Sequence, residues 1–207
     1  MSMSNFWDER YASREYVYGI EPNVYLKEAI ERYSLSGKIL FPGEGEGRNA
    51  VFAARMGLEP IAFDQSAEGK AKAMKLADRF GVKIDYRVGD LFEMDFEELS
   101  FDAAALIYAH FSPNIRPMIH RKIGSLVKPG GIVILEGFSK IHVEHQKINP
   151  HAGGPRNIDM LFTKEMILSE LSDFEPIEIE ETETHLSEGI GHNGMASVIR
   201  FTGRKRL

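Results

Sequence analysis

Phe41-Pro42-Gly43-Glu44-Gly45-Glu46-Gly47-Arg48-Asn49 is the stretch on which the reading of this chain turns. In front of it, Lys38 to Phe41 is a short apolar strand. Behind it, Asn49 to Met56 reads as a helix with Val51, Phe52 and Ala54 free to pack. In an open α/β sheet a ligand lies beyond the carboxyl ends of the strands, at such a strand–turn–helix junction. Glycine suits the junction because it turns tightly and lets a ligand approach the backbone. Ordinary turns use glycine too, so the loop alone leaves both readings open. Its details narrow them. The spacing is Gly-x-Gly-x-Gly, with Arg48 where a dinucleotide fingerprint needs a third glycine. Glu44 and Glu46 would repel a pyrophosphate and suit a cation.

Strands and helices alternate outward from this loop. Pro60 to Phe63 is a second strand, and Ala67 to Phe80 a helix stopped by Gly81. Lys83 to Arg87 is a third strand. Phe101 to Tyr108 is a fourth, apolar nearly throughout as expected of burial on both faces. Ile115 to Val127 is a helix, and Ile132 to Leu135 a fifth strand. This alternation predicts a doubly wound, mostly parallel sheet with right-handed crossovers. Ser139 to Asp159 reads as a long loop, and Thr163 to Leu171 as a helix with Thr163 as N-cap. Ile177 to Thr184 and Ala196 to Thr202 read as an antiparallel hairpin around Gly189–Gly194, which makes seven strands. Before the first strand, Val24 to Tyr33 has helical spacing. Residues 1–23, rich in aromatics and charge, read as a cap or lid on one domain of residues 1–207.

Asp64 ends the second strand, seventeen residues after the last loop glycine. A carboxylate there can accept both hydroxyls of a ribose. Its alternative is to cap the helix that Asp64-Gln65-Ser66 precedes.

In order along the chain, Phe41 to Gly57, Ala62-Phe63-Asp64-Gln65-Ser66, Val88-Gly89-Asp90-Leu91 and Leu126-Val127-Lys128-Pro129-Gly130-Gly131 resemble the motifs of class I S-adenosylmethionine (SAM) dependent methyltransferases. Phe6-Trp7-Asp8-Glu9-Arg10-Tyr11 with Tyr18-Gly19-Ile20-Glu21-Pro22-Asn23 is similar to the tellurite-resistance and thiol (thiopurine) methyltransferase-like branch. SAM carries a sulfonium, an ammonium and no phosphate, in keeping with the acidic loop. The resemblance implies that Gly43 and Gly45 face the methionyl part and Asp64 holds the ribose. It also implies that Asp90 and Leu91 meet the adenine and that Tyr108 lies near sulfonium and acceptor. Asn49 and Gln65 complete the cofactor set. The class has an acid two residues before the first glycine, where this chain has Phe41. The amino group of the methionine then falls to Glu44 or to backbone carbonyls.

Methyl transfer from a sulfonium is an in-line displacement with a good leaving group, so alignment and exclusion of water are the main demands. Aromatic faces hold cations. Phe6, Trp7 and Tyr18 are candidates for this, and so are Tyr108 and Phe111, although core packing is the ordinary fate of any one aromatic. An acceptor that binds protonated needs a base. A thiol, with a pKa of about 8.5, needs modest help, which His110 or His192 can give. His142 and His145 lack a third ligand at recognisable spacing, and no metal is expected.

The formal net charge of −6 and the lack of a basic face argue against nucleic acid, and the only basic run is Arg204-Lys205-Arg206. No apolar run approaches a membrane span, and no signal peptide is visible. Absence of cysteine excludes thiolate chemistry on the protein. The expected setting is therefore cytoplasmic, with a small-molecule acceptor and a monomer or homodimer. Two alternatives stand beside the methyltransferase: an NAD(P)-dependent oxidoreductase on a similar sheet, and a non-catalytic SAM-binding protein.

Overall fold

A computed structural model describes residues 3–207. Its first strand, Lys38–Pro42 (β1), runs through the middle of a seven-stranded sheet, with Ile39, Leu40 and Phe41 all fully buried. The other strands are Glu59–Asp64 (β2), Asp85–Val88 (β3), Phe101–Ile107 (β4), Val127–Phe138 (β5), Phe174–Glu188 (β6) and His192–Lys205 (β7). Their order is β3-β2-β1-β4-β5-β7-β6, parallel except for β7, which is antiparallel to both β5 and β6. This is a doubly wound α/β sheet with an antiparallel hairpin at one edge. The order reverses between β1 and β4, and that reversal opens a crevice at the carboxyl ends of the strands.

The helices are Met3–Tyr11 (α1), Val24–Arg32 (α2), Arg48–Arg55 (α3), Ala67–Phe80 (α4), Arg116–Leu126 (α5), His142–Ile148 (α6) and Lys164–Glu170 (α7). Leu26, Ile30, Phe52 and Leu76 of α2, α3 and α4 bury one face of the sheet with Ile39 and Phe41. Ile119, Ile123 and Ile167 of α5 and α7 bury the other with Leu40 and Leu106. Helix ends follow local chemistry. Thr163 Oγ1 accepts from Met166 N to start α7, and Gly81 at φ 66° stops α4.

Three elements differ from the sequence reading. β5 is longer than Ile132–Leu135, because Val127 already pairs with Phe101 at the foot of β4. The hairpin strands also extend past Ile177–Thr184 and Ala196–Thr202, and their turn is confined to residues 189–191. The segment Ser139–Asp159 is not a bare loop: it contains α6 and two short 3₁₀ turns. The residues that α6 buries are His142 and Gln146, both polar, so no apolar stripe announced it. Within the expected cap, residues 1 and 2 lie outside the described residues, and residues 3–11 form α1. Asp8 of α1 accepts from Ser66 Oγ (2.6 Å) and Glu68 N (3.2 Å), which seats α1 on the start of α4.

Candidate functional site

Gly43, Gly45 and Gly47 all have left-handed backbone, with φ of 63°, 65° and 88°. At Gly47 a Cβ would lie 2.4 Å from the Ala73 Cβ, so a side chain would push α3 and α4 apart. At Gly45 it would lie 2.7 Å from the Tyr11 hydroxyl. The two loop carboxylates do not face outward to a cation as the sequence reading had them. Glu44 Oε1 accepts from Asn49 N (2.9 Å) and Ala50 N (2.8 Å) and so caps α3. Burial pushes its carboxyl up to about 7. Glu46 accepts from Val17 N (2.8 Å), Tyr18 N (3.3 Å) and Lys72 Nζ (2.7 Å). It fastens residues 17 and 18, the arm between α1 and α2, to the loop and to α4. Backbone N–H groups are orphaned at a helix start and along an arm, and a carboxylate in a tight turn is within reach of both.

Asp64 also holds backbone. Its Oδ2 accepts from Gly45 N (3.0 Å) and its Oδ1 from Ser66 N (2.9 Å). The cap of α4 is Ser66, whose Oγ accepts from Gly69 N, so the capping alternative falls to Ser66. Burial raises the Asp64 carboxyl, and the N–H bonds oppose that rise. Each oxygen keeps a further acceptor position. Tyr86 on β3 donates to Gly45 O (2.5 Å), a loop support not expected from sequence. Asp90 is exposed and accepts from Phe92 N to cap a 3₁₀ turn, while Leu91 is buried against Phe63 and Phe96. Gln65 is exposed beside Asp64. Asn49 Oδ1 accepts from Asn23 N, which ties α3 to the start of α2.

The arm and α1 roof the loop. Tyr11 is buried over Gly45 and stacks on Trp7 at 5.5 Å, and Arg10 lies over both Trp7 and Tyr18. Phe6 sits edge-on to Trp7 and is 47% exposed, on the outside of the roof. Tyr11, which the site reading had passed over, is the roof aromatic set over Gly45.

At the end of β4, Tyr108 has a left-handed φ of 52°, costly for a residue with a side chain. Its N–H bonds Glu136 O (2.7 Å) and its hydroxyl donates to Glu136 Oε1 (2.8 Å). Glu136, 1% exposed, also accepts from Asn23 Nδ2 (2.6 Å) and Arg200 Nε (2.6 Å). A second carboxylate, Glu188, accepts from Arg48 (2.9 Å), Asn23 Nδ2 (3.2 Å) and His192 Nδ1 (3.2 Å). Burial would raise Glu188, but the bond from His192 and the Arg48 charge outweigh it and hold it at about 2. The His192 ring lies 4.5 Å from both Tyr18 and Tyr108, centroid to centroid. A cleft of about 230 Å³ opens beside this network, between residues 18–24, Arg48, Glu136, Arg200 and residues 184–189. A larger groove of about 430 Å³ lies at the opposite, amino end of the strands and contains none of these groups.

His110, a candidate base, is spent on structure. Its Nε2 accepts from Phe138 N (3.1 Å), so its Nδ1 donates to Met160 O (2.9 Å). Burial pushes it down to about 3. Neither nitrogen is left for a substrate. His142 is likewise engaged by Gly153 O and Ser197 N, and His145 by Glu183. Phe111 is half-buried near His120, on the α5 face. Among the described residues no helix is long and apolar enough to cross a membrane.

Residues 39–131 match the sequence model of a family described as methyltransferase domain. Sterol 24-C-methyltransferase of Clavispora lusitaniae is 33% identical over 90 residues, 41% of this chain and 23% of that protein. The corresponding Candida albicans protein is 33% identical over 72 residues, 32% of this chain and 19% of its own length. The matched stretch thus spans less than a quarter of either relative. A protein solved in work on conversion of a disulfide bond into a thioacetal group during echinomycin biosynthesis superimposes with a TM-score of 0.80 at 17% identity. It covers 99% of this chain and 93% of its own. TehB from Haemophilus influenzae does so at 0.70 and 15%, covering 98% and 67%. A SAM-dependent methyltransferase from Methanosarcina mazei gives 0.64 and 20%, covering 86% and 97%. Residues 39–131 match a methyltransferase-domain model, and the fold around them is the one these solved structures share.

Proposed function

We propose that this protein transfers the methyl group of SAM to a small-molecule acceptor, a thiol or similar sulfur nucleophile. The observation that carries the reading is the side-chain-free turn at Gly43 and Gly45, set at the switch point of the sheet and roofed by Tyr11, Trp7 and Tyr18. Gly43 and Gly45 offer backbone to the methionyl part, and Asp64 offers its remaining acceptor positions to the ribose. The edge at Asp90–Leu91 lies where the adenine would rest. The bound cofactor supplies an electrophilic methyl carbon on a good leaving group.

What remains for the protein is alignment and exclusion of water, and the aromatic roof serves both. The thiol assignment takes support from the aromatic walls at Tyr18, Tyr108 and Phe138, which suit a soft, weakly hydrated nucleophile. It also draws on the disulfide chemistry named for the echinomycin protein. The net charge of −6 disfavours a nucleic-acid acceptor.

Calorimetry with SAM, its demethylated product and NAD, followed by methyl transfer to a panel of thiols, amines, carboxylates and tellurite, tests the proposal. We expect saturable binding of SAM and its product, no NAD response, and transfer to thiols. Saturable NAD binding without SAM binding overturns it. SAM binding with no methylated product from any acceptor leaves a SAM-binding protein that is not an enzyme of this kind.

A further inference from the structure

Glu188 ends β6 and His192 begins β7, and the two are cross-strand partners over the turn at residues 189–191. The imidazole Nδ1 lies 3.2 Å from Glu188 Oε2, so Nδ1 carries the proton and Nε2 the lone pair. Glu188 is itself fixed by Arg48 and Asn23, so it cannot swing away from the ring. His192 is 5% exposed overall, and its Nε2 takes no hydrogen bond from the described residues and is not among their fully buried unpaired atoms, so water reaches it. A purely structural histidine is bonded through both nitrogens, as His110 is.

The ring stands between Tyr18 of the arm and Tyr108, the residue after β4. Phe138 meets it edge-on at 5.1 Å, and Gly153 covers another side, where a Cβ would lie 2.4 Å from His192 Cδ2 and 3.2 Å from Nε2. Only a glycine leaves that side of the imidazole uncrowded. Ala109, next to Tyr108, packs beside Gly43, so the same strand end serves both the loop and this ring.

We propose that His192 is the general base of the reaction, taking the acceptor's proton at Nε2, and that Glu188 is its positioning residue. The inference rests on the methyl transfer to sulfur proposed above. The acceptor S–H bond breaks, its proton goes to Nε2, and its electron pair forms the bond to the methyl carbon. The electrons of the broken methyl–sulfonium bond stay on the departing sulfur. The imidazolium then returns its proton to water.

The charged and titratable groups around the ring agree with this. Burial lowers the His192 pKa and the Glu188 hydrogen bond opposes that, while Arg48 and Arg10 favour the neutral form. Tyr18 and Tyr108 flank it with their hydroxyls held protonated by burial, and His110 and His142 approach through Phe138 and are neutral at pH 7. Of the three candidates at this strand end, Tyr108 donates its proton to Glu136 and His110 has both nitrogens filled. His192 alone keeps a lone pair.

His192→Asn tests the proposal, since its amide can still donate to Glu188 but has no basic nitrogen. At pH 7, kcat with an alkyl thiol should fall by about 100-fold or more while SAM affinity holds. With 5-thio-2-nitrobenzoate, already a thiolate at that pH, the loss should shrink roughly tenfold or more. Equal losses for the two acceptors, or none with the alkyl thiol, overturn the base assignment and leave the methyltransferase reading standing. A wild-type protein that methylates neither thiol removes the sulfur acceptor. The base is then decided by ¹⁵N spectra of His192 in the product-bound protein. A neutral ring with a pyridine-like Nε2 sustains it, and a proton on Nε2 overturns it.

Discussion

Replacing Glu46 with Ala should loosen the arm and destabilise the whole protein. Glu46 is 3% exposed and its partner Lys72 7%, so the pair sits out of water. The substitution leaves the Lys72 ammonium with one bond, to Glu15 O at 2.6 Å. Removing one member of a buried pair costs about 3–5 kcal/mol, because the other charge stays buried. For a chain of this length each kcal/mol moves Tm by about 2–4 °C, so the expected drop is roughly 6–20 °C. Val17 and Tyr18 also lose their acceptor, although the arm can relieve them by peeling into water.

Glu46→Gln keeps an acceptor for those N–H groups and should fall between Ala and wild type. Adding Lys72→Met to Glu46→Ala removes the stranded cation and should restore part of the loss. Calorimetric scans measure these shifts. Trp7, the only tryptophan, reports separation of α1 from the loop by fluorescence. If Glu46→Ala moves Tm by less than about 2 °C, within the value of a solvated ion pair, the clamp contributes little and the argument fails.

Two further expectations concern pH and the second strand. His110 and His142 are held at about 3 and about 4, below the ordinary 6.5, so below pH 6.5 the unfolded chain takes up two protons that the folded one refuses. Glu44, raised to about 7, opposes with one proton bound only in the folded state down to its ordinary 4.5. From these three groups the slope is a loss of about 1.4 kcal/mol per pH unit as pH falls from 6.5 towards 4.5, and the lowered His192 adds to it while the raised Asp64 opposes it. Urea midpoints across that range check it, and a stability that rises on acidification refutes it. Asp64→Ala removes the acceptor for both Gly45 N and Ser66 N, and should weaken SAM binding roughly ten- to hundredfold by calorimetry. Asp64→Asn retains one carbonyl acceptor and should lie between; wild-type affinity in both variants means that Asp64 holds neither loop nor ribose.

The parallel core could be read from sequence because its causes are local. Apolar runs such as Phe101–Ile107 make buried strands wherever they fall, and three glycines with positive φ between strand and helix permit few other structures. α6 escaped because hydrogen bonds to Gly153 and Ser197 hold it, and these leave no periodic trace. The direction of Glu44 and Glu46 escaped for a similar reason: spacing places a carboxylate in a turn without saying which side of the turn it faces. Tyr11, Tyr86 and Glu136 were missed because each acts on residues brought close only by the tertiary fold, as Tyr86 does on Gly45, 41 positions away. The nearness of Tyr18, Tyr108 and His192 has the same long-range origin. The names were available from the chain; which histidine keeps a free nitrogen was not.

The bond from Gly191 N to Val17 O has a consequence for the order in which the molecule is completed. The arm leaves the ribosome well before the hairpin turn that locks it. At about 5–20 residues per second, the arm waits on the order of 10–35 s for its latch. Meanwhile Asn23 and Arg48 lack Glu188, and Tyr18 lacks His192. A chain stopped short of β7 therefore has the glycine turn and Asp64 but lacks the His192 ring. On the function proposed above, donor binding and methyl transfer become possible at different times during synthesis.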